Sequence, residues 1–453
     1  MVRLAWCILC FLGLWLASAA EFDAAQYALR YWKHWRADAP EVAYPEEQLA
    51  ENAPDKLRFY HECVAKFAPH WLDEYKAIDK AFGWKEGTYM ALCVYDHKKK
   101  KVEPTHECTS WIVCPELTGK NEVYLHKSRD SKTRRLAVQQ IAVKGKHAWL
   151  GMGTPGYLNP NFGINDAGLA ISMNAGNRTP DEKYDGLRTP AICRILLEEC
   201  ATVAEAVKLL EKMVREGAYT HRRSGSIWFF ADGKEAVIVE HNAKHFQAAP
   251  IRNGIGIRAN SWKYPEMLKH SISSVSDYLC NDFKENVVFR MLVEQCYYAK
   301  YSIGLEDVWA VSRSREMGLD GIYPLCGNLT NSAATFSIDT EFPLELSAAW
   351  IACGPPRHTV YIPVPITISS LPDALMNGDF GDAAFARFDK EGLDVSVKKY
   401  VMLEKKMKAV HDEAHAKAKA LLKNGGRKLE AAQLLEDAFR RNWKTLEECE
   451  AMK

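Results

Sequence analysis

Between Cys108 and Pro363 the chain returns repeatedly to short runs rich in β-branched and aromatic residues, and this recurrence limits the possible folds more than any other feature. The pattern predicts strands at 108–113, 121–125, 169–173, 226–230, 236–240 and 256–259, then at 334–339, 346–353 and 359–363. The 226–230 and 236–240 runs flank Asp232-Gly233, a hairpin signal. Apolar residues at helical spacing fall at 190–200, 203–216 and 287–298, with Thr202 and Glu205 placed as a reciprocal capping pair. Strands and helices therefore come in groups. A doubly wound parallel sheet needs strict alternation, so the order favours an α+β layered architecture.

The flanks differ from this middle. From Glu21 to Phe82 aromatic and apolar residues (Tyr27, Tyr31, Trp35, then Tyr60, Val64, Phe67) recur at helical intervals, broken by Pro40, Pro45 and Pro54. After Gly87 the run 88–95 reads as a strand. From about Lys390 onward the chain is highly charged and helical, interrupted at Gly425-Gly426. The expected organisation is a helical segment at 21–107, a core at 108–389 and a helical extension at 390–453. The first twenty residues carry Arg3, an apolar block from Leu4 to Leu16 and then Ala17, Ser18, Ala19 and Ala20, the pattern of a signal peptide. No later stretch offers the roughly 20 apolar residues of a membrane span, so a secreted or periplasmic protein without an anchor is expected.

A formal net charge of +1 gives no support for a nucleic-acid partner, which calls for a clustered basic excess. The one basic run, Lys98 to Lys101, reads as a solvated loop. With Cys7 and Cys10 removed in the signal peptide, the remaining cysteines are odd in number, so at least one thiol stays unpaired in an oxidising compartment. No pair has the CxxC spacing of a zinc ligand set, and no structural metal is expected.

Three segments carry chemistry. His106-Glu107-Cys108-Thr109-Ser110-Trp111 opens a strand; Leu125-His126-Lys127-Ser128-Arg129-Asp130 closes the next; Asn165-Asp166-Ala167-Gly168-Leu169-Ala170-Ile171-Ser172-Met173-Asn174-Ala175-Gly176 follows. Taken alone, Cys108 could be a buried strand cysteine or half of a disulfide with Cys114. In this order and spacing, however, the segments resemble the N-terminal-nucleophile hydrolases, above all the acyl-coenzyme A:6-aminopenicillanic acid acyltransferase family, and more distantly the choloylglycine hydrolases and cysteine dipeptidases. The resemblance runs over residues 88–365.

It implies a four-layer αββα sandwich and a self-cleavage at Glu107-Cys108 that makes Cys108 the new amino terminus. A thiol of pKa near 8.5 needs a base, and an unacylated α-amine of pKa about 8 can serve. The resemblance further assigns Asp130 to holding amine and thiol in register, and Asn174 and Asn260 to the oxyanion side of the site. Lys127 stands where the choloylglycine branch has an arginine, with Arg129 beside it, so the cation is kept but not its forked geometry. The family's later arginine has no counterpart in Leu329-Thr330-Asn331-Ser332; Arg313 and Arg315 are the nearest in sequence. The implied reaction is hydrolysis or acyl transfer at a linear amide of a small molecule or peptide, through a Cys108 thioester, with no cofactor and with the two self-cleaved fragments remaining associated. Two alternatives stand beside it: a papain-like thiol hydrolase using His106 or His241, and a secreted binding protein that keeps the fold without activity.

Overall fold

The computed structural model describes residues 22–38, 54–94, 108–180, 184–221, 224–316 and 324–449. The expected signal peptide, the 98–101 lysine run, His106 and Glu107 lie outside them. Helices α1 (Ala24–Asp38), α2 (Pro54–Phe67), α3 (Trp71–Phe82) and α4 (Thr88–Val94) come first. Strands β1 (Cys108–Val113), β2 (Glu122–Asp130), β3 (Ala137–Ile141), β4 (Trp149–Gly153), β5 (Phe162–Asn165) and β6 (Ala170–Arg178) follow, then helices α5 (Thr189–Glu199) and α6 (Val203–Arg215). Next come β7 (Ser224–Ala231), β8 (Ala236–His241), β9 (Phe246–Pro250) and β10 (Ile255–Arg258), and helices α7 (Val275–Phe289) and α8 (Leu305–Ser312). The chain ends with β11 (Thr330–Asp339), β12 (Ala348–Cys353), β13 (Ile362–Pro365), α9 (Asp379–Glu391), α10 (Lys398–Lys423) and α11 (Lys428–Glu448).

The strands form a six-stranded sheet in the order β10-β1-β2-β11-β12-β13 and a seven-stranded sheet in the order β9-β8-β7-β6-β5-β4-β3, with antiparallel pairing throughout both. Because side chains alternate faces along a strand, each sheet offers two surfaces. Ile112, Leu125, Phe336 and Ile351 of the first sheet meet Met152, Ile164, Phe229 and Ile238 of the second in one core. The outer face of the first sheet, with Trp111, Tyr124 and Trp350, is covered by Val288 of α7 and Trp309 of α8. The outer face of the second, with Ile171, Trp228 and Val239, is covered by Ile195 of α5 and Leu210 of α6, and beyond them by Val64, Trp71 and Ile78 of the N-terminal helices. The layers are therefore α, β, β and α.

The capping pair before α6 is present: Thr202 Oγ1 accepts from Glu205 N at 3.3 Å, and Glu205 Oε2 accepts from Thr202 N at 3.2 Å. In the β7–β8 turn Asp232 Oδ1 accepts from the N–H groups of Lys234 and Glu235. The strand expected at 88–95 is instead helix α4. Asp79 of α3 accepts from Gly87 N and Tyr89 N, both at 2.7 Å, which gives the first turn of α4 its missing acceptors. The run is buried nearly all round, and an apolar run of that length does not reveal its period. The helix expected at 287–298 begins earlier, as α7, and continues as a π-helical stretch from Arg290 to Tyr297. Helix α9 crosses the boundary expected at 390. None of the described cysteines forms a disulfide, Cys108 and Cys114 included, and no described helix is long and apolar enough to cross a membrane.

A buried charge network docks the N-terminal helices. The Arg194 guanidinium on α5 is fully buried; it donates to Glu74 of α3 and to Glu198, each at 2.7 Å, and lies 4.6 Å from the centre of the Trp71 ring. Glu198 also accepts from Trp71 Nε1 at 2.9 Å and pairs with His70 at 3.0 Å. Removing one partner of a buried pair leaves an uncompensated charge. Arg194→Ala should therefore cost about 3–5 kcal/mol, read from the midpoint of denaturant unfolding. A change below about 1 kcal/mol would mean that the network contributes nothing to docking.

Candidate active site

Strand β1 is the centre of the site because of what its two neighbours hold against it. In the antiparallel register Cys108 lies opposite Arg129 and Ser110 opposite Lys127. Alternation puts Cys108, Ser110 and Ile112 on the face toward the second sheet, with Lys127 and Arg129 on the same face of β2. Ser110 Oγ donates to Asn174 Oδ1 at 3.0 Å and lies 3.1 Å from Ser172 Oγ, so β1 is stitched to β6 across the gap between the sheets.

Lys127 is 1% exposed. Its ammonium donates to the Met173 carbonyl at 2.7 Å and to Asn174 Oδ1 at 2.5 Å, and the Cys108 thiol is close enough to act on its charge. Burial pulls the Lys127 pKa below the ordinary lysine value, and the thiol opposes that pull because a thiolate would stabilise the ammonium.

Asn174, expected on the oxyanion side, lies between Ser110 and Lys127. Lysine can only donate and carbonyl oxygens can only accept, so the partners fix which way the amide points. Asn174 Nδ2 donates to the carbonyls of Arg258 at 2.9 Å and Ala259 at 2.8 Å, while Oδ1 takes Ser110 and Lys127. Both amide protons go to these two carbonyls. Asn174 acts here as a brace that joins β6 to the end of β10 and anchors Lys127.

That brace also sets Asn260. Asn260 Oδ1 accepts from the Cys108 N–H at 2.8 Å, and its Nδ2 donates to the Ala175 carbonyl at 2.9 Å. The loop that carries it has no strand partner, yet its backbone is fixed at successive residues. Ala259 N donates to Glu285 at 2.9 Å and Asn260 N to Asn281 Oδ1 at 3.0 Å, both on α7. Trp262 N donates to Asn177 at 2.5 Å, and Lys263 N and Tyr264 N donate to Glu240 of β8, each at 2.9 Å.

Asp130 stands one residue past Arg129, at the end of β2 and on the opposite face. Its Oδ2 pairs with Lys284 of α7 at 3.3 Å, and its Oδ1 is buried without a hydrogen-bond partner. Burial raises the Asp130 pKa, against the pull of Lys284. Lys284, Asn281 and Glu285 were not anticipated from sequence. The available signal was the spacing Asp277, Asn281, Lys284 with Val287 and Val288, which puts polar residues on the buried stripe of α7.

The arginines nearest in sequence serve elsewhere. Arg313 is buried and bonds Glu404 of α10 at 2.8 and 2.5 Å, along with the carbonyls of Pro356 and Thr359. Arg315 pairs with Asp394 at 3.2 Å. His241, the described candidate for a thiol–imidazole pair, accepts from Trp228 Nε1 at 3.0 Å and packs edge-on against Tyr219, in the layer outside the second sheet. His126 stacks on Trp111 on the outer face of the first sheet, and burial holds its pKa well below the ordinary value.

The family described as acyl-coenzyme A:6-aminopenicillanic acid acyl-transferase matches residues 116–296. This stretch contains Lys127, Arg129, Asp130, Asn174, Asn260 and Lys284 and starts after Cys108. No curated protein matches the chain. Among solved structures, the Caenorhabditis elegans ortholog of N-acylethanolamine-hydrolyzing acid amidase is 15% identical with a TM-score of 0.36, covering 54% of this chain and 100% of its own. A variant of conjugated bile acid hydrolase from Clostridium perfringens is 12% identical with a TM-score of 0.38, covering 54% of this chain and 89% of its own. Penicillin G acylase from Alcaligenes faecalis is 10% identical with a TM-score of 0.30, covering 45% and 52%. Over residues 116–296 the chain is thus similar to the acyl-coenzyme A:6-aminopenicillanic acid acyl-transferase family of N-terminal-nucleophile enzymes, the family that the motifs around Lys127, Asp130 and Asn174 resemble.

Proposed function

We propose that this chain is a secreted, self-processing enzyme that hydrolyses linear amide bonds, or transfers their acyl groups, through a thioester at Cys108. The observation that carries the proposal is the position of Cys108: it opens a strand with its N–H on Asn260 Oδ1 and its thiol beside the buried Lys127 ammonium.

In processing, the Cys108 thiol adds to the carbonyl carbon of Glu107. The C–N bond to Cys108 breaks, the nitrogen takes up a proton, and the acyl group moves to sulfur as a thioester. Water hydrolyses this thioester and leaves a carboxylate at Glu107, a free thiol and a free α-amine. In turnover the α-amine accepts the thiol proton, and Lys127 stabilises the thiolate so formed. The thiolate attacks the substrate carbonyl, the departing amine takes the proton back from the α-ammonium, and water or a second amine resolves the thioester. Asn260 holds the α-nitrogen throughout, and the unpartnered Asp130 Oδ1 supplies a second buried acceptor near the strand end. The cleaved N-terminal fragment stays docked through Arg194 and its carboxylates.

Intact-mass measurement of the purified protein should show two fragments, the larger beginning Cys-Thr-Ser-Trp. Cys108→Ala should remain one chain and turn over nothing, while Cys114→Ala should process and keep most of its activity. A dead Cys114→Ala beside an active Cys108→Ala would assign the chemistry to the wrong cysteine.

Asn174→Ala separates a brace from an oxyanion donor. Loss of the brace leaves two buried carbonyls without their donor and takes an acceptor away from the buried Lys127 ammonium, so stability should drop by about 3 kcal/mol or more. A pure oxyanion donor would instead leave the melting temperature in place and cut the titrated kcat by roughly 100 to 1000-fold. Melting temperature and kcat measured on the same preparation decide between the two.

A further inference from the structure

Away from Cys108, at the far ends of β2 and β11, two buried carboxylates stand opposite each other: the register pairs Glu122 with Asp339. Like charges directly across an antiparallel pair are unfavourable unless a cation joins them. Helix α10 lays His415 over this pair. His415 Nε2 is 3.7 Å from Glu122 Oε1 and 3.6 Å from Asp339 Oδ2, and it is buried with no hydrogen-bond partner.

These separations are too long for hydrogen bonds. They are close to the spacing between two ligand atoms of one tetrahedral zinc, about 3.3–3.5 Å for bonds of about 2.0–2.2 Å. All three ligand atoms lie within 4.8 Å of one another. The Asp339 carboxylate is aimed as a ligand needs to be, because Oδ1 is tied to Glu341 N at 2.9 Å and Phe342 N at 2.8 Å, leaving Oδ2 turned toward α10. We propose that Glu122, Asp339 and His415 form a divalent-cation site of the zinc type, with solvent as the fourth ligand, that fastens α10 to the catalytic sheet.

Lys419 competes for the site. Lys419 Nζ lies 2.6 Å from Asp339 Oδ2 and 3.4 Å from Glu341 Oε2. On metal entry its ammonium passes from Asp339 to Glu341, so the exchange conserves charge pairing and makes Lys419 a brake on affinity. The absence of CxxC spacing is irrelevant to this site, whose ligands come from three elements far apart in sequence.

The test uses the full chain, stripped with EDTA and exchanged into metal-free buffer, with zinc chloride alone as the probe. Calorimetric titration, together with metal analysis after gel filtration, should give one zinc per chain and a higher melting temperature. His415→Gln and Asp339→Asn should each lose that equivalent and the thermal shift. Lys419→Gln should bind zinc on the order of tenfold more tightly. Cobalt substituted at the site should show the visible absorption of a tetrahedral centre. The proposal falls if the wild-type chain retains no zinc, or if His415→Gln and Asp339→Asn retain as much as wild type. It also falls if Lys419→Gln leaves affinity unchanged, since zinc would then be bound away from Asp339.

Discussion

Much of the site's geometry follows from the burial of a single ammonium between the two sheets. An unpaired cation in that position would be prohibitive, so Lys127 draws in acceptors from β6, the Met173 carbonyl and Asn174 Oδ1, and has the Cys108 sulfur as a third neighbour. Meeting this demand fixes the rotation of the Asn174 amide. Its two protons then hold the carbonyls of Arg258 and Ala259, and the loop leaving β10 is brought to the height at which Asn260 meets the Cys108 N–H. The cation beside the thiol and the partner of the Cys108 nitrogen are coupled through one side chain, Asn174.

Buried ion pairs repeat this logic at the periphery. Arg194 ties the N-terminal helices to α5, and Arg313 ties α10 to the segment before β13. Neither residue adds to the apolar core, but each fixes how a helical layer sits on its sheet. In this protein such pairs sit at junctions between segments distant in sequence, where an apolar contact would tolerate sliding and a forked guanidinium does not.

The legible part of the fold was the part with short-range causes. The Thr202–Glu205 cap, the Asp232 turn and the apolar runs of the inner strands depend on neighbours within a few residues, and all are present. Thr88–Val94 misled because its acceptors come from Asp79 and its burial is nearly complete, so β-branched and aromatic content said nothing about period. In the site, Cys108, Lys127 and Asp130 were visible as motif positions. The commitment of the Asn174 amide was not, because its partners Arg258 and Ala259 are on a different strand. Lys284 and Asn281 were hidden for a related reason: they are polar residues on the buried stripe of a helix, and what they reach is decided by how α7 crosses the sheet.

Strand β2 lies between β1, its neighbour in sequence, and β11, whose pairing joins Thr330 to Asp130 and Asp339 to Glu122. The entropy of closing so long a loop must be met before those contacts give anything back, which makes this pairing a late event in folding. As the chain leaves the ribosome, β1 and β2 exist long before β11 does. Until β11 and β12 arrive, the inner face of the six-stranded sheet is incomplete and the environment that buries Lys127 beside Cys108 is not assembled. The topology thereby acts as a clock: the surroundings of the Cys108 sulfur are complete only after most of the polypeptide has been made.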